Sequence, residues 1–166
     1  MSFTYRTPQL LQEDHQTTLD VIERLDALLA KARRSPPDVN DATVRSTLKK
    51  AAEAIGAEVE FHFKFEEDEL FPRLEEAGDV GIGMHLREEH AALLPLGLAI
   101  AKGAGEAIDS GFTQAGWDDF RDKAGELIER MLAHIQKEEM ALLPMLDELL
   151  DDESDMELSV QHGNAH

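Results

Sequence analysis

The strongest constraint on this chain is a sequence repeat. The segment His62-Phe-Lys-Phe-Glu66-Glu67-Asp-Glu-Leu70-Phe71-Pro72-Arg-Leu74 aligns without gaps to His134-Ile-Gln-Lys-Glu138-Glu139-Met-Ala-Leu142-Leu143-Pro144-Met-Leu146, and the His, both Glu, the Leu, the Pro and the final Leu recur. Upstream, Glu13-Asp14-His15 with Leu19 matches Glu88-Glu89-His90 with Leu94. His15 precedes His62 by 47 residues and His90 precedes His134 by 44. The duplicated unit is therefore a pair of segments, the first carrying one His and the second carrying His-x3-Glu. A unit of this size cannot bury an apolar face alone, so the two copies must pack together.

Each segment reads as an amphipathic helix. The first can start at Thr7-Pro8, with proline at the first helical position, and stop at Ser35-Pro36-Pro37. Its inward stripe is Leu11, His15, Thr18, Leu19, Ile22, Leu25 and Leu29, in steps of three and four. The second, capped by Asn40 or Asp41, carries Val44, Leu48, Ala51, Ile55, Val59, His62, Glu66 and Leu70. Phe61, Phe63 and Phe65 alternate like a strand, but the longer helical stripe outweighs them. The third begins within Gly81 to His85 and carries Leu86, His90, Leu93, Leu94 and Leu98, with Pro95 expected to kink it. The fourth follows Gly116 through Phe120, Ala124, Leu127, Met131, His134, Glu138, Ala141, Met145 and Leu149. Short connections between such helices predict an all-α, up-down-up-down four-helix bundle over about residues 8–150, with an internal helix-pair duplication, within one domain spanning 1–166. The acidic segment 151–166 reads as a solvated, disordered tail.

The repeat has a chemical logic. Residues four apart on a helix differ by about 40° in direction and ~6 Å in height, so His62 and Glu66 project as neighbours, as do His134 and Glu138. An imidazole can bind a metal while the carboxylate one turn on reaches a second metal. Two copies aim four imidazoles and two carboxylates, namely His15, His62, Glu66, His90, His134 and Glu138, into one core. An ionised Glu buried without a partner is strongly disfavoured, which makes an accidental arrangement of six such residues a poor explanation. The chain has no cysteine, so thiolate sites and disulfides are excluded, and an imidazole-carboxylate set suits iron, with manganese or zinc as lesser options.

Charge narrows the partners. A formal net charge of -19 disfavours nucleic acid and anionic lipid, whose binding proteins present basic patches. No apolar run approaches the roughly 20 residues of a bilayer span, and the N-terminus lacks a charged-then-apolar leader. The expected location is the cytoplasm.

The combination of a first-helix His, His-x3-Glu-Glu-x3-Phe-Pro, a third-helix Glu-Glu-His and a fourth-helix His-x3-Glu resembles the hemerythrin-like, or HHE cation-binding, family over roughly residues 8 to 150. The resemblance implies two non-haem iron ions, one on His15 and His62, the other on His90 and His134, bridged by Glu66 and Glu138. Oxygen-carrying hemerythrins have a further His where Leu86 stands, and an Asp five residues after the fourth-helix His where this chain has Glu138 four after. The set is thus more similar to bacterial proteins linked to iron-sulfur repair and nitrosative stress.

The implied function is a di-iron protein that binds or reacts with oxygen, peroxide or nitric oxide, with a redox or iron-accepting protein as partner. The alternative is a non-catalytic module for iron storage, delivery or sensing. Of the remaining polar residues, His85 lies about 140° round the helix from His90 and Glu69 has Ala141 as its repeat partner, so neither is expected to bind directly. Glu67 and Glu139 are expected at the helix surface.

Overall fold

The computed structural model describes residues 2–165, and every element of regular structure among them is helical. Helix α1 spans Arg6–Lys31 and α2 spans Ala42–Ala57. The second segment continues without interruption through a π-helical turn at Glu58–His62, α3 at Phe63–Phe65, a second π-turn at Glu66–Leu70, and α4 at Phe71–Glu76. Helix α5 spans Gly81–Ser110. Helix α6, Gln114–Lys137, leads through a π-turn at Glu138–Leu142 into α7, Leu143–Leu149. A last helix, α8, covers Asp152–Ala165.

Local chemistry sets these boundaries. The Asp41 carboxylate accepts from the backbone N–H groups of Thr43 and Val44, and the Thr113 hydroxyl accepts from that of Gly116; each satisfies donors that a helix start leaves unpaired. The fourth segment therefore starts at Gln114, ahead of Gly116. Gly111 ends α5 with φ +75°, a conformation costly for any residue with a Cβ. Pro95 is carried inside α5 without breaking it.

Helices α1, α2, α5 and α6 close a ring, each packing against two neighbours. The contact of α5 with the second segment is close enough that a Cβ on Gly97 would lie 2.4 Å from Cγ1 of Val59. Two apolar cores fill the ring. One contains Ile22, Leu25, Leu48, Ile55, Leu93, Trp117, Leu127 and Met131, and the other contains Leu11, Leu70, Phe71, Leu86, Leu142 and Leu146. The polar residues of the repeat interrupt the same helices between these two clusters.

By length and composition α5 is apolar enough to cross a membrane. Its small and apolar residues raise its mean hydropathy although Arg87, Glu88, Glu89 and His90 interrupt them. It packs along α2 and α6 and buries Leu86, His90, Leu93, Gly97 and Ile100.

The C-terminal segment departs from the expectation of a disordered tail. Helix α8 lies against α1 and α3, with Leu158 fully buried. Two of its neighbourhood's carboxylates cap α1. Asp147 accepts from the backbone N–H groups of Thr4 and Tyr5, and Asp155 accepts from those of Arg6 and Thr7 at 3.0 and 2.8 Å. Acid placed at a helix N-terminus satisfies orphan donors and complements the helix dipole. His166 lies outside the described residues. Helix α8 also explains the phenylalanine alternation. Phe63 faces the inner core, Phe65 points the other way and is buried beneath α8, its ring meeting that of His162 at 5.4 Å, while Phe61 stays 45% exposed. A helix covered on two faces buries residues that a single stripe cannot account for.

Candidate metal centre

All six residues expected from the repeat converge between the two apolar cores. His15, Glu66, His134 and Glu138 have 0% of their surface exposed, His62 1% and His90 2%. α1 supplies His15, the π-turn before α3 supplies His62, α5 supplies His90, and α6 supplies His134. Both glutamates are the first residues of π-turns, at Glu66 and Glu138. An i→i+5 turn is an irregularity that recurs at functional positions in helices.

Every Nε2 points inward. His15 Nε2 lies 2.7 Å from Glu138 Oε1, and His134 Nε2 lies 3.0 Å from Glu138 Oε2. His90 Nε2 is 3.2 Å from Glu66 Oε1 and 3.2 Å from His134 Nε2. His62 Nε2 faces Glu66 Oε2 at 3.5 Å and Glu138 Oε1 at 3.6 Å. Donor atoms fall into two groups within which all lie less than 4.8 Å apart: His15, His62, Glu66 and Glu138 form one, and Glu66, His90, His134 and Glu138 the other. The two groups share both carboxylates.

The outward nitrogens follow a rule of their own. Behind the Nδ1 of each histidine stands a carboxylate from a neighbouring helix: Glu139 for His15 at 2.9 Å, Asp14 for His62 at 3.0 Å, Glu89 for His134 at 2.8 Å and Glu67 for His90 at 3.8 Å. Each is the sequence neighbour of an inward residue on another helix. Asp14 and Glu89 are equivalent in the repeat and serve the His62/His134 pair; Glu67 and Glu139 are equivalent and serve the His90/His15 pair. Glu139 thus turns its carboxylate in to the His15 ring, whereas Glu67, with its side chain 37% exposed and no hydrogen bond to His90 Nδ1, stays at the helix surface as expected. Metal-binding histidines commonly carry such a carboxylate, which fixes the tautomer and raises ring basicity.

The sequence matches the family described as hemerythrin HHE cation binding domain over residues 7–146. The chain belongs to that family. No match was found among curated proteins. The HHE domain is a cation-binding domain, and the polar core of this one can be tested against that role. His62 Nε2, both oxygens of Glu66 and Oε2 of Glu138 are buried with no hydrogen-bond partner. Polar atoms left in that state carry a desolvation penalty that a cation held between them would remove. His90 and His134 present two Nε2 atoms to each other, and a shared cation suits both, whereas only one proton fits between them. The donor set, nitrogen and oxygen without sulfur, suits iron, manganese or zinc. The residues present fit a metal.

Without metal the carboxylates of the HHE core favour protonation of its imidazoles. Burial disfavours a charged His15, but Glu138 and Glu139 outweigh it and push the imidazole up to about 10. Burial is likewise overcome at His90, which Glu138 and Glu66 push up to about 9. His62 and His134 are raised by carboxylates against burial as well. Burial would raise the Glu138 carboxyl, yet His134, His15, His62 and His90 together hold it well below the usual range. Metal uptake must expel these protons, because ligand nitrogens bind metal only when neutral.

Two residues outside the expected six complete the core. Glu58, one turn before His62, is buried beside it, and burial pushes its carboxyl up. His162 of α8 is buried with Nε2 2.7 Å from Asp14 Oδ2, the same oxygen that meets His62 Nδ1. The other residues weighed from sequence stay outside. His85 is exposed beside Lys137 and Glu89, and Glu69 lines a shallow outer cavity with Phe61, Lys64 and Gln161.

Proposed function

We propose that this chain is a non-haem di-iron protein, an up-down-up-down four-helix bundle made by duplication of a helix pair, which binds or reacts with oxygen, peroxide or nitric oxide. The observation that carries the reading is the sharing of Glu66 and Glu138 by two four-donor groups. His15 and His62 would hold one ion and His90 and His134 the other, with Glu66 and Glu138 within reach of both. Iron bound there would supply Lewis acidity and one-electron redox chemistry.

The rest is the work of the chain. Glu139, Asp14 and Glu89 hold three rings so that their Nε2 atoms face inward. The apolar cores on both sides exclude water and strengthen electrostatic interactions within the site. Complete burial restricts the external ligand to a diatomic or peroxide-sized molecule. Electrons or iron would pass to or from a protein partner, and the expected place of action is the cytoplasm, in oxidative or nitrosative stress or iron-sulfur repair.

The test is metal analysis of protein saturated anaerobically with iron(II), followed by optical spectra and consumption of oxygen, peroxide or nitric oxide. Two irons per chain, near-ultraviolet absorption that reduction bleaches, and iron-dependent loss of one of these ligands are expected. Saturated protein holding one iron or none would overturn the di-iron reading. Two irons with no turnover of any of the three molecules would leave a store or sensor.

A further inference from the structure

The duplication is broken at one place inside the core. In the first half, the residue one turn before His62 is Glu58, 3% exposed, and Thr18 faces it. At the equivalent positions the second half has Arg130, paired at the surface with Glu126 at 3.0 Å, and Leu93, buried in the apolar core. The backbone is broken in the same place. The π-turns Glu66–Leu70 and Glu138–Leu142 correspond to each other, but the π-turn Glu58–His62 has no counterpart, because Arg130 to His134 lie within regular α6.

Glu58 is built to point inward. Thr18 Oγ1 donates to Glu58 Oε2 at 3.2 Å, which leaves Oε1 buried without a hydrogen-bond partner and 3.7 Å from His62 Nε2. That nitrogen also lacks a hydrogen-bond partner and already faces Glu66 Oε2 at 3.5 Å and Glu138 Oε1 at 3.6 Å. Three carboxylate oxygens from three different residues therefore gather about one imidazole nitrogen. The His90/His134 side has no third carboxylate of this kind among the described residues.

We infer that Glu58 is an additional carboxylate ligand for the cation held by His15 and His62, so that the two cation positions are unequal. The inference rests on the two-ion reading above and adds to it. The His15/His62 position carries more negative charge and fewer open coordination sites. The His90/His134 position, with the Phe63 ring stacked 3.9 Å from that of His90, is left as the one that accepts an external ligand.

The experiment is a crystal structure of the full chain loaded anaerobically with iron(II), with anomalous differences at the iron edge, together with iron(II) titrations of the wild type, Glu58→Gln and Glu58→Ala. The expected result is Glu58 Oε1 within bonding distance of the His15/His62 iron, and binding there weakened by about tenfold or more in both variants while the second position is retained. Two irons in the wild type with Glu58 more than 3 Å from either, or variants that titrate like the wild type, would overturn this inference and leave the di-iron reading standing. A wild-type crystal without iron would overturn both. The wild-type structure decides the matter even where a variant folds poorly.

Discussion

The Nδ1 of His15 lies 2.9 Å from Oε1 of Glu139, a carboxylate carried on the turn that also supplies Glu138 to the opposite nitrogen of the same ring. One short stretch of the fourth segment thus grips both ends of an imidazole on α1. His15 is held in one orientation with Nε2 inward, which is what a preorganised ligand requires.

Glu139→Ala should therefore lower metal affinity by about 10- to 100-fold, the usual consequence of removing a carboxylate behind a ligating histidine. Glu67→Ala should cost less, because Glu67 is 3.8 Å from His90 Nδ1 and beyond hydrogen-bonding distance. Competition against a chelator of known affinity measures both. An unchanged Glu139→Ala would show that the ring is fixed by packing alone.

The metal-free protein should have a defined pH optimum of stability. A histidine raised in the folded state contributes stability that is complete below its ordinary value of 6.5 and lost as pH climbs through the raised value, here about 10 for His15 and about 9 for His90. The depressed Glu138 carboxyl contributes above its ordinary value of 4.5 and loses that contribution as pH falls further. Melting temperature without metal should peak between about pH 4.5 and 6.5. Iron competes with the same protons, so the gain in melting temperature from iron(II) should widen from about pH 6 to 8. A metal-free form that melts higher at pH 9 than at pH 6 would contradict the charge pattern.

Helix α8 should be part of the cooperative structure. Asp155→Ala removes the acceptor for two backbone donors at the start of α1, and the loss of a cap costs about 1 kcal/mol, or roughly 2–4 °C in a chain of this size. A chain ending at residue 150 should lose more, since burial of Leu158 alone contributes about 1.5–3 kcal/mol. Thermal melts of the three proteins provide the check. A truncated chain as stable as the wild type would mean that α8 does not dock.

The six inward His and Glu residues were legible because a helix keeps its inward face at a fixed spacing, and both copies of His-x3-Glu sit in register with long apolar stripes. Of the carboxylates behind them, Glu139 was present in the same repeat but read as facing solvent. Glu67 and Glu139 follow an inward residue by one position, about 100° around the helix, which places them at a surface when one helix is considered alone. Only the neighbouring helix reveals that the Glu139 side chain reaches a histidine, while Glu67 remains at the surface beside His90. Glu58 was hidden for a related reason: it lies just before Val59 in a stretch read as Ile55, Val59, His62, and the π-turn that admits it leaves no periodic signature over five residues. The acidity of 151–157 pointed to solvent, whereas Asp155 serves as a cap for a helix start 148 residues earlier in the chain. Local sequence cannot express a contact of that separation.

In the two-ion reading proposed above, the six inward residues should not be equivalent, and their distances rank them. Glu138 stands nearest the centre, with its oxygens 2.7 Å from His15, 3.0 Å from His134, 3.6 Å from His62 and 3.8 Å from His90. Glu66 faces His90 at 3.2 Å and His62 at 3.5 Å. His15 belongs to one donor group alone, whereas the two glutamates belong to both. Removing a shared carboxylate takes one donor from each cation and leaves their mutual repulsion less screened; removing His15 takes one donor from a single cation. Glu138→Ala should therefore lose both irons and their magnetic coupling most completely, Glu66→Ala should follow, and His15→Ala should retain close to one iron per chain, at the His90/His134 position. Iron analysis with Mössbauer spectra of the three variants distinguishes these outcomes. If His15→Ala strips both irons while Glu138→Ala keeps a coupled pair, the shared-carboxylate arrangement is wrong.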